Sequence, residues 1–532
     1  MAFVSDSSQK KRVKSGYGLK NICLFLLMLN VTSIFCEAQE FNSVPLGHPA
    51  YIIIEKGIMH ALINPPPSAK PWSEQTVKNL LGQMIHDHRG ILTAREIETA
   101  EYTLELFKRR EGLDFQRGKY RVEGNNLSFE VGLGWESAFF VEAPGTGFST
   151  VNRARIFAGG NLSSFSSWNI TAFGGFQYAE GDLVPAGDFL AELNGSFFDD
   201  RLHLRLGRIR RDWGGHSAGT SLFMNAYAPP FLAFEGIYSP FFWMNVSFLT
   251  GILECSREDS GNGLFTNSFS LARLEMKAAS FFRFGVGASV ISGGQPNAAF
   301  FTDVEFRFPG LFRVWGSLFV DRINSPAEEF FFNNFFMMKG NSYAYQAGIE
   351  AVIRWLPFST FIMRYTKVEP YCFAASAIGG AVTSAYVNRG VSLGHYLSPN
   401  SDELLFRFQS RLSPSLRTFV QFQRIRGGVD FGYGAISGSS LRDILTNPHS
   451  EKYFLMDGVY QWDRIFKTGA EVFFQRSVIP WSLFMEAGMV STRFTINGSA
   501  GVGVEADFEP IDDAVYRAGN RFIFSIGFRL FP

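Results

Sequence analysis

The chain is short of cysteine, of net charge and of long apolar runs, and each shortage removes a class of protein. Four cysteines occur in 532 residues. Cys23 and Cys36 fall in an N-terminal leader, which leaves Cys255 and Cys372, too few for a disulfide scaffold or a metal site. Lys and Arg total 49, as do Asp and Glu. That balance excludes a general nucleic-acid binder, which carries a basic excess, and an acidic solvating protein. No run after the leader reads as a membrane helix: the nearest candidate, Ile237 to Leu253, contains Pro240, Asn245 and Gly251 and divides into two strands and a turn.

What is abundant is phenylalanine, 58 residues beside 53 Gly, with a mean hydropathy of only +0.03. A soluble core of this size would bring more Leu, Ile and Val, whereas strands with one lipid face and one wet face need aromatic and polar residues together. The leader, residues 1–38, supplies an address. Lys10, Lys11, Arg12, Lys14 and Lys20 precede an apolar run from Ile22 to Phe35, and Ala38 offers a small residue for cleavage before Gln39. The run is shorter than the ~20 residues of a spanning helix and is broken by Asn30, Thr32 and Ser33, so it reads as an export signal. Lipoprotein processing at Cys36 is the alternative, against which stands the bulk of Phe35.

Residues 39–116 read as a small helical domain. A short helix around Tyr51 to Leu62 precedes Pro65-Pro66-Pro67. Val77, Leu80, Leu81, Met84 and Ile85 then recur on one helix face behind a Ser73 cap, and Thr93-Ala94-Arg95-Glu96 forms a capping box for a third helix. A core of this size is marginal alone, so the domain should lean on the strands C-terminal to it. From Tyr120 onward the period is two. Val304, Phe306 and Phe308 alternate with Glu305 and Arg307, and Phe522, Phe524, Ile526, Phe528 and Leu530 share a face in the last strand. Arginine on the supposed inner face discriminates: a lipid-embedded barrel turns apolar residues outward and charges toward a wet lumen. Closure also leaves no strand edge unpaired in hydrocarbon. The expected fold is an all-β transmembrane barrel of about eighteen antiparallel strands over 117–532, with the helical domain periplasmic.

Few residues suggest chemistry. Gly215-His216-Ser217-Ala218-Gly219 fits a hydrolase nucleophile elbow, with Asp212 nearby, yet neither a buried apolar strand before it nor a capped helix after it is in the sequence. His86 and His88 point to different helix faces, and His60, His203, His216 and His395 have no partner at metal-ligand spacing. Gly501-Val502-Gly503-Val504 lacks the Lys and helix of a phosphate loop. No enzyme activity, metal or cofactor is expected. Two oddities remain. Phe330 to Met338 reads as a lid or interfacial aromatic girdle, or as a sugar or lipid platform. Gly207 to Phe231 gathers Arg208, Arg210, Arg211 and Trp213 in a Gly-rich bend. Either it is an ion-paired plug, Arg211 meeting Asp212 and acids such as Glu305, or its guanidiniums grip an anion while Trp213 supports a sugar ring.

Asp212-Trp213-Gly214-Gly215-His216, Ser221-Leu222 and Ala228-Pro229-Pro230-Phe231 resemble the signature of the Wzi capsule-assembly family of outer-membrane proteins. Ser43 to Tyr51 with Lys70-Pro71-Trp72-Ser73 is similar to that family's helical opening, and Asn388-Arg389-Gly390 to His395 with Pro399 to Glu403 to a later loop-and-strand segment. The resemblance spans Phe41 to the end and implies an 18-stranded barrel with a lectin-like grip on acidic polysaccharide. The expected ligand contacts are Arg208, Arg210, Arg211, Asp212, Trp213, His216 and Asn225. The expected setting is the outer membrane of a double-membrane bacterium. A monomer would meet surface polysaccharide, outer-membrane lipid and, through the helices, periplasmic envelope components. A porin for small anionic solutes is the alternative.

Overall fold

A computed structural model describes residues 42–530 except 47, 88–89, 108–111, 115–118, 124–126, 144–146, 164, 180–181, 199, 215–220, 255–265, 294–295, 323–338, 379–380, 449, 453, 456, 475–480 and 498–507. The leader with Cys36, the elbow residues His216 and Ser217, Cys255 and the Phe330 to Met338 run lie outside the described residues.

Among the described residues, eighteen antiparallel strands form a closed wall. They are β1 (Ser128–Ala143), β2 (Gly147–Ser163), β3 (Ser166–Ala179), β4 (Asp182–Phe197), β5 (Leu202–Ile209) and β6 (Phe231–Phe241). Next come β7 (Met244–Glu254), β8 (Thr266–Ala279), β9 (Phe282–Ser292), β10 (Asn297–Phe308), β11 (Phe312–Arg322) and β12 (Ser342–Val352). The ring ends with β13 (Ser359–Val368), β14 (Ser401–Ser413), β15 (Leu416–Gly428), β16 (Gly458–Phe474), β17 (Trp481–Asn497) and β18 (Gly519–Leu530). β18 pairs with β17 on one side and with β1 on the other, from Phe522↔Ala143 to Leu530↔Trp135, which closes the cylinder.

The two ends differ. At one, connections are short, as between β10 and β11 (309–311) and between β14 and β15 (414–415); at the other they run to 210–230, 369–400 and 429–457. Those three segments leave the wall, so the period of two does not hold without interruption from Tyr120 to the end. Ring pairs mark the short-turn end, Phe474 on Trp481 at 3.9 Å and Phe241 on Trp243 at 5.2 Å, as an aromatic girdle does.

Wall alternation is inverted relative to a soluble protein. On β10, Val304, Phe306 and Phe308 are 38–46% exposed, while Glu305 and Arg307 between them are buried. Inside, Glu305 takes Arg283 at 2.8 Å and Arg307 at 2.5 Å, Asp303 takes Arg273 at 2.8 Å, and Glu350 takes Arg313 at 2.7 Å. Glu305 therefore serves the β9–β11 wall and not Arg211.

Three helices cover the short-turn end: α1 (Ala50–Met59), α2 (Glu74–Asp87) and α3 (Ala94–Glu105). Ser73 Oγ accepts from Thr76 N at 3.1 Å, and Thr93 with Glu96 makes the capping box. Ile53, Ile54, Val77, Leu81, Met84 and Ala100 pack together with Phe358 from the β12–β13 turn. Glu96 pairs with buried Lys56 and also accepts from Phe358 N at 3.0 Å, while Gly310 N donates to Met59 O at 2.8 Å. The helical core thus borrows a residue and two hydrogen bonds from the barrel's turns.

If lipid touches the phenylalanine rows, a charge in mid-strand should cost far more than one in a turn. Val304→Arg is expected to destabilise the barrel by about 2–4 kcal/mol, and Leu311→Arg, in the short turn, by about 0–1 kcal/mol. Chemical unfolding in lipid vesicles measures both, and equal costs would mean the outer face is not in hydrocarbon.

Candidate functional site in the barrel lumen

The residues singled out in the 207–231 segment lie on β5 and on an insert that turns into the lumen. Its course is fixed by backbone pairing. Asp212 N donates to Lys70 O at 2.9 Å and Lys70 N to Asp212 O at 2.8 Å, so the insert meets the segment between α1 and α2 inside the cylinder. Trp213 N then donates to Met224 O at 3.0 Å, folding the insert on itself. Gly214 makes the bend at a φ of 76°, where a Cβ would come within 2.7 Å of Arg273 Nη1.

Around this bend the lumen is dry. Trp213, Leu222, Phe223, Met224 and Ala228 of the insert pack on inward-facing Phe231, Phe269, Phe301 and Phe319 of the wall, and on Cys372, Phe373, Tyr386, Leu393 and Leu397 of the 369–400 loop. Phe223 stacks on Phe301 at 3.3 Å. Asn225 ties the two loops: its N–H donates to Leu393 O at 2.8 Å, its side-chain amide donates to Gly394 O, and its Oδ1 accepts from Tyr227 N at 2.7 Å. Tyr386 OH donates to Phe223 O at 2.9 Å, and Asn388 Nδ2 to Pro229 O at 2.9 Å.

The expected contacts therefore separate. Trp213 is fully buried and donates from Nε1 to Glu235 Oε1 at 3.0 Å, so its ring is not open to a sugar. Arg211 is buried too; it pairs with Glu235 at 2.9 Å and Glu192 at 3.2 Å, not with Asp212. Burial would lower its pKa, but Glu235 and Glu192 outweigh burial and raise it. Arg208, at the end of β5, is held by Glu254 at 2.5 Å and Asp188 at 3.1 Å. Asn225 and Asp212 are buried. Only Arg210, its side chain 44% exposed and 3.9 Å from Asp188, keeps a guanidinium in the open.

Beside this core, toward β14 and β15, side chains of the lumen are exposed, a region that no sequence motif marks. Tyr227, 62% exposed, meets the half-exposed Tyr396 edge-on at 5.9 Å. Tyr396 OH is anchored by Glu403, and Gln423 Nε2 donates to it at 3.0 Å. Arg407 of β14 lies within electrostatic reach of Tyr227 and of Arg417 of β15, and Arg153 of β2 within that of Arg210. Arg407 Nε is buried with no hydrogen-bond partner. Tyr227 and Tyr396 belong to two long loops far apart in sequence that only the closed ring brings together, so no local pattern could have paired them.

Where the insert meets the helical segment, charge is concentrated. Glu55 of α1 takes Lys70 at 2.8 Å and Arg313 at 2.9 Å. Burial alone would raise Glu55, but Lys70 and Arg313 hold it down to about 2. Asp212 has no such rescue. Burial pushes it from 3.8 up to about 6, opposed by Lys70 and helped by Glu55, and its Oδ1 has no hydrogen-bond partner among the described residues.

Folded Asp212 thus holds its proton more tightly than the unfolded chain does. Its contribution is fully present below about pH 4 and is lost as pH rises through about 6. The gap corresponds to about 3 kcal/mol. Asp212→Asn should leave stability near pH 4 unchanged and raise it at neutral pH, as read by thermal unfolding at both; the same difference at both pH values would rule out this carboxyl. Arg211→Ala should cost about 3–5 kcal/mol in the same assay, because two carboxylates stay buried behind it.

No family model matches the chain, and no curated protein matches it. Solved structures do. Wzi of Escherichia coli, described as an outer membrane protein involved in group 1 capsule assembly and a carbohydrate-binding β-barrel, is 11% identical, with 92% of this chain and 99% of that one covered at a TM-score of 0.56. OpdK of Pseudomonas aeruginosa is 12% identical over 76% of this chain and 98% of its own, at 0.45. OprD of the same organism is 10% identical over 76% and 94%, at 0.40. What the chain shares with the first of these is an outer-membrane β-barrel fold.

Proposed function

We propose that the chain is an outer-membrane protein that retains an anionic surface polysaccharide at the long-loop end of its lumen, with the helices on the periplasmic side. The observation that carries this is the open part of the lumen, where exposed Tyr227 and Tyr396 meet within electrostatic reach of Arg407, together with the partly exposed Arg210, which has Arg153 within its own reach. Tyrosine rings offer flat apolar faces to sugars, and guanidiniums hold carboxylates or phosphates by paired hydrogen bonds. The dry half supports binding over conduction, since a packed aromatic core occupies the β6–β13 side. The likeness to Wzi, a barrel described as carbohydrate binding and involved in capsule assembly, agrees with this assignment. The protein acts as a monomer, without cofactor or turnover.

A porin for small anions is the second reading, favoured by the same arginines. Planar-bilayer recording separates the two: a steady open conductance supports the pore, and a closed barrel that retains acidic polysaccharide on an affinity column supports the binder. Replacing Arg210 and Arg407 together with Ala should weaken that retention by about tenfold, more at low salt than at high, because guanidinium contacts with polyanions are screened. Unchanged retention would place the ligand elsewhere.

A further inference from the structure

The outer wall carries a cationic patch that neither the lumen nor the fold requires. On β14 to β18 one register row faces outward as Phe406, Phe422, Phe466, Met489 and Phe522. Phe422, Phe466, Met489 and Phe522 are 39–51% exposed, as lipid-facing side chains should be. The next outward row toward the long loops reads Leu404, Arg424, Arg464, Ser491 and Asn520, and the row above it Asp402, Arg426, Trp462 and Arg493. These two rows thus set four guanidiniums on three neighbouring strands against one carboxylate, Asp402 of β14, which Arg426 engages at 2.8 Å.

Arg424 and Arg464 stand directly opposite each other across the β15–β16 ladder, a like-charge pair that destabilises a sheet unless an anion lies between. Arg464 and Arg493 are exposed, and among the described residues Arg424 Nε is buried without a hydrogen-bond partner. Other cations at long-loop strand ends are matched: Lys367 pairs with Glu369 at 2.7 Å and Arg208 with Glu254 at 2.5 Å. Among the described residues, Arg424, Arg464 and Arg493 have no acid partner.

Height fits a headgroup. Ten residues separate Arg464 from the girdle residue Phe474 on β16. At ~3.3 Å per residue and a tilt of about 40°, that is roughly 25 Å, the thickness of an outer-membrane barrel's apolar band. Long loops lie on the extracellular side of such barrels, which puts the arginines at the outer leaflet's surface.

We propose that Arg424, Arg464 and Arg493 bind the phosphate of an outer-leaflet glycolipid, whose acyl chains lie along the Phe422, Phe466 and Met489 row beneath. The site is on the opposite side of the wall from the glycan crevice and stands or falls independently of it. Trp462, whose Nε1 donates to Thr495 Oγ1 at 3.1 Å and whose ring Arg426 covers at 5.1 Å, fills the space between the guanidiniums as an interfacial aromatic.

The test uses the full-length protein in nonionic detergent, with bisphosphorylated lipid A and the same lipid after removal of its phosphates, followed by native mass spectrometry. The phosphorylated lipid should be retained about tenfold better, and Arg424→Gln, Arg464→Gln and Arg493→Gln combined should abolish the difference, whereas Arg464→Lys keeps most of it. Equal retention of the two lipids, or of the phosphorylated lipid by the triple variant, overturns the proposal. Full displacement by millimolar inorganic phosphate also overturns it, since the site would then hold a free anion. Thermal unfolding controls for folding. Without lipid the triple variant should melt no lower than the parent, because it has lost only repulsion; with phosphorylated lipid only the parent should gain stability. A triple variant that melts well below the parent without lipid would make the arginines structural and end the proposal.

Discussion

Everything in this molecule depends on hydrocarbon meeting the outside of a closed strand cylinder. Once the outer face must be apolar across the hydrocarbon, the period of two sends the charged wall residues at that depth inward, and the interior becomes the place where their solvation has to be found. A lumen of eighteen strands is too wide for wall side chains to fill by themselves. The chain answers in two ways. On the β8–β12 side, acids and guanidiniums satisfy one another along and across the strands, as Glu305 does for Arg307 on its own strand and Arg283 on the next. Above them, the 210–230 insert and the 369–400 loop bring in an aromatic core.

The same inversion explains why most expected ligand contacts became structure. Arg211 and Trp213 converge on Glu235, which also holds Arg205 at 2.9 Å. A carboxylate so deep is tolerable only with several donors, and the insert supplies two of them. The residues that stay available are those at the insert's margin, where exposed Tyr227 meets Tyr396 and lies within electrostatic reach of Arg407. The exposed guanidiniums here are what remains after the plug has used its share of charge.

The wall was legible because alternation is a local property: Val304 to Phe308 and Phe522 to Leu530 announce their faces without help from the rest of the chain. Helix signals were local too, down to the Thr93 capping box. The site was not. A cluster of arginines beside a tryptophan looks the same whether it awaits a ligand or a buried glutamate, and Glu192 and Glu235 lie in strands whose register only closure defines. Tyr227 and Tyr396 carried no signal at all, since neither sits in a motif and their edge-on contact joins two long loops.

Helices, insert and wall meet at Lys70. Its backbone pairs with Asp212 of the insert, its ammonium with Glu55 of α1, and Glu55 in turn binds Arg313 of the wall. A change in protonation at Asp212 therefore acts on the joint between the short-turn cover and the long-loop plug, since Lys70 belongs to one and Asp212 to the other. The barrel ends are tens of ångströms apart, yet two buried carboxylates, Asp212 and Glu55, each with one oxygen that has no hydrogen-bond partner among the described residues, lie between the parts that close each of them. That arrangement makes the docking of the helical domain and the seating of the insert one equilibrium, because neither segment can withdraw without leaving the other's backbone N–H and C=O unpaired inside the cylinder.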